Sequence, residues 1–131
     1  MGDRGNIILR FLGTENSKPV DIFLYTHWRG YALPHIVQRA LTKRERWDDP
    51  AYLARIIFCE LMPASQHGDS TGFGIAPYPC DNQYDYMRLD MDERTVEQVS
   101  VGNTEVVRGH WTFEEFCTLD VSTLKDYGGA Q

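Results

Sequence analysis

The chain predicts one α+β domain: an antiparallel sheet of about five strands, two central helices and a C-terminal helix, in the order β-β-α-α-β-β-β-α. Three observations carry that prediction. Val20–His27 (Val-Asp-Ile-Phe-Leu-Tyr-Thr-His) is rich in β-branched and aromatic residues. Leu33, Ile36, Val37, Ala40 and Leu41 recur at helical spacing. Thr112-Phe113-Glu114-Glu115 reads as a capping box that opens a last helix. A length of 131 residues suits a single domain over 1–131, with 1–5 and 120–131 expected to fray.

Asn6–Leu12 is the first expected strand. The turn formers of Gly13–Pro19 separate it from Val20–His27, so the pair predicts a hairpin with a loose loop. Ile22, Leu24 and Thr26 share one face of the second strand and Phe23, Tyr25 and His27 the other. Both faces are apolar enough to predict a central position. A helix over Pro34–Arg44 begins with Pro in its first turn, where the missing N–H costs nothing. Trp47-Asp48-Asp49-Pro50 starts a second helix, running to Met62. With Asp48 as cap, Trp47 and Tyr52 stand at staple positions. Its apolar residues (Leu53, Ile56, Ile57, Phe58, Leu61) surround it, which predicts the central core helix.

Ala64–Thr71 is read as a polar loop, and Gly72–Pro77 as a short strand whose glycines permit close backbone approach. A turn at Pro79–Asn82 leads to strands over Tyr84–Asp90 and Thr95–Val101, with a further short one around Glu105–Arg108. This order predicts an antiparallel meander. Before the last helix, Trp111 and Phe116 occupy staple positions.

Net charge is −6, against generic nucleic-acid binding. Residues 1–62 hold nine Lys/Arg against seven Asp/Glu, and residues 63–131 hold four against twelve. An anion site should therefore draw on the first half. Cys59, Cys80 and Cys117 form no C-x-x-C and no even framework, so neither disulfides nor a zinc ribbon are expected. Cys59 and Cys117 are read as buried thiols in helices. The start Met1-Gly2-Asp3-Arg4 predicts no secretory signal, and no apolar run approaches a membrane span. A cytoplasmic protein is expected, with no cofactor and no metal.

Two clusters stand out as ligand-binding candidates. In Trp28-Arg29-Gly30-Tyr31 a strand hands over to a helix, with flat rings for a base and a guanidinium fork for phosphate. The competing reading packs His27 and Trp28 under the first helix. His35, Arg39 and Lys43 form a basic stripe spaced i, i+4, i+8, with Arg46 and Trp47 near its end. A solvated helix face is the plainer account of that stripe. Thr71-Gly72-Phe73-Gly74 lacks the Gly-Lys-Ser/Thr ending of a phosphate loop and reads as strand. No complete catalytic motif is present. His27, His67 and Asp69 are the nearest acid–base candidates, since Ser70 has no nucleophile elbow and the four histidines no metal spacing.

Tyr25-Thr26-His27-Trp28, Leu33-Pro34, Arg46-Trp47-Asp48-Asp49, Tyr52 to Phe58 and Thr71-Gly72-Phe73-Gly74-Ile75 together resemble a group of small proteins encoded by phages and bacteria. The resemblance covers about Gly5 to Val101 and carries no functional residues with it. In size and composition the chain is also similar to phage proteins that sequester the nucleotide signals of bacterial immunity, the Sequestin and Lockin groups acting on Thoeris signalling. That likeness implies a homo-oligomeric sponge in the host cytoplasm, with a pocket of aromatic and basic groups for an anionic nucleotide-like ligand. Two alternatives stand beside it: an enzyme that cleaves such a ligand, and an inhibitor that uses the acidic second half to occupy a basic protein partner.

Overall fold

A computed structural model describes residues 3–13, 18–62, 72–100 and 104–124. Strand β1 (Gly5–Leu12) and strand β2 (Pro19–Thr26) form the expected hairpin, with Ile7 opposite Leu24 and Leu9 opposite Ile22. A 3-10 turn at Gly30–Ala32 leads into α1 (Leu33–Thr42), and α2 (Pro50–Leu61) follows. After β3 (Phe73–Ala76) come β4 (Tyr86–Asp90), β5 (Thr95–Val99), β6 (Val107–Thr112) and α3 (Phe113–Cys117). The expected loop over Ala64–Thr71 lies outside the described residues.

The α+β class holds, but the sheet differs from the expected meander. It has six strands in the order β3-β2-β1-β4-β5-β6, and β4 runs parallel to β1. The physical reason lies in the segment between β3 and β4. Asn6 is fully buried on β1 and takes hold of that segment. Its amide donates to the Asn82 side chain at 3.0 Å and the Asp81 carbonyl at 3.2 Å, and the Gln83 N–H donates to the Arg4 carbonyl at 2.9 Å. These bonds return the chain to the start of β1, so β4 sets out beside it in the same direction. The strand expected around Glu105–Arg108 is Val107–Thr112, paired to β5 with a register shift at Gln98/Val99. The second strand is interior but not central; β1 and β4 hold the middle.

All helices of the described residues cover one face of the sheet. Ile7, Leu9, Leu24, Met87, Leu89 and Val96 meet α1, whose Leu33, Ile36, Val37, Ala40 and Leu41 are at most 1% exposed. Helix α1 contacts β1 and β4, so it, and not α2, is the central core helix. Helix α2 packs Leu53, Ile56, Ile57 and Leu61 inward and leaves Tyr52, Arg55 and Cys59 outside. The expected burial of Cys59 is thereby corrected: the apolar residues of α2 occupy one side, and Cys59 falls on the other. Cys117 is half-buried, and that burial pushes its thiol up.

Helix α2 starts on a carboxylate cap and α3 on a hydroxyl cap, while α1 has no side-chain cap. Asp49, one residue beyond the expected cap, accepts the Tyr52 N–H at 3.2 Å. Trp47 accordingly forms no staple; it donates to the Leu41 carbonyl at 3.2 Å and meets Phe113 edge-on. At α3 the capping box is complete, Thr112 accepting from Glu115 N–H at 3.0 Å and Glu115 from Thr112 N–H at 2.8 Å. Trp111 and Phe116 form the staple, with ring centroids 5.3 Å apart. Both ends of the chain are tied where they are described. Asp3 bonds the Tyr84 hydroxyl and the backbone of His27 and Gly30, while Val121 is buried. Burial first, then the Asp3 carboxylate, pushes the Tyr84 hydroxyl up to about 12.

Candidate functional site

The strand-to-helix junction is built by Thr26. Its hydroxyl accepts the N–H groups of Trp28 at 3.2 Å and Arg29 at 3.0 Å and bends the chain out of β2. Arg29 then reaches the C-terminus of α2, where Nη1 donates to the carbonyls of Glu60 at 3.1 Å and Leu61 at 2.9 Å. Those carbonyls are the ones a helix leaves unpaired at its end, and a guanidinium there also opposes the negative pole of the helix. Burial, and next the neighbouring Arg39 charge, pull Arg29 below its ordinary pKa. The expected phosphate fork is thus placed as a helix cap.

Trp28 and Tyr31 are each 48% exposed, so their faces are accessible. His27 is half-buried, with Nδ1 2.8 Å from the Tyr25 hydroxyl and its ring edge-on to Trp28. Burial foremost, with the Asp81 charge, raises the Tyr25 pKa. His67 and Asp69 lie outside the described residues.

The basic stripe on α1 does not run free along its length. Arg39 and Lys43 both turn to Glu60 of α2, at 2.7 and 3.5 Å. His35 is exposed. Beyond Glu60 opens a shallow groove of about 310 Å³, lined by Lys43, Glu45, Tyr52, Arg55, Cys59 and neighbours. Arg46 and Arg55 stand 4.8 and 4.7 Å from the centroid of the Tyr52 ring. Arg46 reaches that ring from a left-handed backbone, at φ 59°. The sequence pointed to Lys43 and Arg46 but missed Tyr52 and Arg55, which sit on α2. Their i, i+3 spacing, on the side of the helix away from Leu53 and Ile57, is the signal that could have found them.

A second polar surface was also missed. The sheet face without helices carries Arg10, Asp21, Asp90, Arg88, Glu97 and His110, brought side by side by strand register. Arg10 forms a two-pronged pair with Asp21, both bonds 2.8 Å. Arg88, with 7% of its side chain exposed, lies between Glu97 at 2.5 Å and Glu105 at 3.0 Å. His110 Nδ1 is 3.1 Å from the same Glu97. Burial pushes Glu97 up, yet the hydrogen bonds from Arg88 and His110 outweigh it and leave the carboxyl below its ordinary range. Strand alternation encodes this row, but which strands adjoin is not visible in any local window.

Among the described residues, no group of three or more His, Cys, Asp or Glu is placed to hold a metal ion, and no helix is long and apolar enough to cross a membrane. Comparison with protein-family models, curated proteins and solved structures finds no match to this chain.

Proposed function

We propose that this chain is a small-molecule-binding protein that sequesters an anionic nucleotide-like ligand, in the manner of a phage anti-defence sponge, at the α1–α2 groove. One observation supports the reading above the rest: the Tyr52 ring lies within 4.8 Å of two guanidiniums, Arg46 and Arg55, beside a groove that Lys43 also lines. A base or ribosyl ring takes the place of a guanidinium on the Tyr52 face, and phosphates meet Lys43, Arg46 and Arg55. Glu60 tempers the site by holding Arg39 and Lys43.

The test is a panel of ADP-ribose derivatives and cyclic dinucleotides. Each is mixed with the protein, washed, released by denaturation and weighed by mass spectrometry. Intact ligand is expected, and the double substitution Lys43→Glu with Arg55→Glu should weaken its retention by about 100-fold or more, at roughly 1.5–3 kcal/mol for each of the two lost charge-assisted contacts. Retention by the double variant equal to the wild type sinks the assignment of the groove. No retention of any panel member sinks the ligand class.

A second reading, an enzyme that cleaves such a ligand, draws on His110. Glu97 orients its imidazole, and the side chain is 57% exposed in a groove of about 370 Å³ that Arg10 also lines. Cleaved ligand in the same panel, lost on His110→Ala, would favour it over sequestration.

A further inference from the structure

Arg44, Glu45 and Arg46 follow one another in the turn between α1 and α2, and the two arginines have work inside the fold. Both hold left-handed backbone, at φ 54° and 59°, a conformation that disfavours every residue with a side chain. The turn is kept in it from both ends. The Arg44 N–H donates to the Leu41 carbonyl and the Asp49 N–H to the Arg46 carbonyl, each at 3.0 Å. Arg44 forks onto Glu114 of α3 at 2.6 and 2.5 Å and lies 5.4 Å from the centroid of the Trp47 ring. Arg46 goes to the Tyr52 ring.

Glu45 stands between them without such a task. It is exposed and lines the α1–α2 groove. Its carboxylate makes no hydrogen bond or ion pair among the described residues. The other carboxylate of the groove, Glu60, is answered by Arg39 and Lys43. Glu45 is an unanswered negative charge beside the lysine and arginines assigned to phosphates.

That charge sorts ligands by what they present. An ionised carboxylate only accepts hydrogen bonds. Toward a phosphate it is a like charge and weakens binding. Toward a hydroxyl it is a strong acceptor, and its two oxygens can take the two neighbouring hydroxyls of a ribose. Acidic side chains read ribose hydroxyls in this way in dinucleotide-binding folds. The same residue therefore penalises a ligand of phosphate and base alone and favours one with free sugar hydroxyls.

We infer that Glu45 selects within the ligand class: the ligand of the groove carries a ribose with a free vicinal diol, which donates to the Glu45 carboxylate while phosphates meet Lys43, Arg46 and Arg55. Nucleotides whose sugar oxygens are closed into phosphodiesters, as in cyclic dinucleotides, lack that diol and are disfavoured. The inference rests on the groove being a nucleotide site, and its test separates the two.

Isothermal titration calorimetry on the full chain uses two probes. One is ADP-ribose; the other is its analogue deoxygenated so that neither ribose keeps a vicinal diol. The wild type should hold ADP-ribose about 10- to 100-fold more tightly than the analogue. Glu45→Ala, an exposed change that should leave circular dichroism unaltered, should weaken ADP-ribose by about 10-fold or more and not weaken the analogue, so that the two probes converge. Equal affinity of the wild type for both probes overturns the inference and leaves the groove standing. So does a Glu45→Ala protein that binds both probes more tightly, the mark of a carboxylate that only repels phosphate. If neither probe binds, or if the Lys43→Glu, Arg55→Glu double variant binds ADP-ribose as the wild type does, the groove reading falls and the inference falls with it.

Discussion

Replacing Arg29 by alanine separates a role in binding from a role in holding the fold. A ligand contact predicts lost binding in an intact protein, but the structure places the guanidinium on the last carbonyls of α2, at 3.1 and 2.9 Å. A hydrogen bond from a charged donor contributes about 1.5–3 kcal/mol net, and a cation at a helix C-terminus about 0.3–1 kcal/mol more. The two bonds leave one nitrogen, and both burial and the Arg39 charge disfavour the charged form, so the contributions do not simply add. The expected loss is about 2–3 kcal/mol. For a chain of this length that corresponds to a fall in Tm of roughly 6–15 °C. Arg29→Lys keeps the charge but not the planar fork and should lose about half as much. Arg39→Ala is the control: its pair with Glu60 is exposed on the Arg39 side and should cost less than about 1 kcal/mol. Urea and thermal unfolding followed by far-UV circular dichroism supply the numbers. An Arg29→Ala protein within about 0.5 kcal/mol of the wild type would refute the capping role and return Arg29 to the list of ligand contacts.

Two further outcomes follow from side chains that bridge elements. Gln38 of α1 donates to the Phe116 carbonyl at 2.9 Å and the Leu119 carbonyl at 2.7 Å, closing the end of α3. Gln38→Ala should lower stability by about 1–2 kcal/mol, and a shift in the urea midpoint with an unchanged m-value is the expected signature. Glu97 supplies a pH dependence. Its folded pKa lies below the ordinary 4.5, so its contribution is complete above that value and is lost as pH falls through the folded pKa. Urea midpoints taken from neutral to acid pH should show the wild type losing its advantage over Glu97→Gln in that acid window; a pH-independent difference would deny the coupling to Arg88 and His110.

Elements with local causes were legible in the chain itself. The capping box at Thr112 and Glu115 needs only neighbouring residues, and it formed with its Trp111–Phe116 staple. The apolar stripe of α1 is a matter of helical period, and those residues became the centre of the core. The basic stripe could be read as a pattern, though not what it faced: Glu60 arrives from α2 and takes both Arg39 and Lys43. Nor did the residues around Arg29 say that its fork would end on a helix terminus thirty-odd positions away.

By itself the sequence determined the α+β class and the order of the main elements, because period, capping and composition act over a few residues. Tertiary structure alone decided that β4 lies parallel to β1, that Tyr52 joins Lys43 and Arg55 in one groove, and that Arg88, Glu97 and His110 form a row. Each of those depends on which strands and helices become neighbours. That choice is made by long-range hydrogen bonds such as those of buried Asn6, whose partners stand more than seventy residues away, and no local pattern of side chains encodes a partner at that distance.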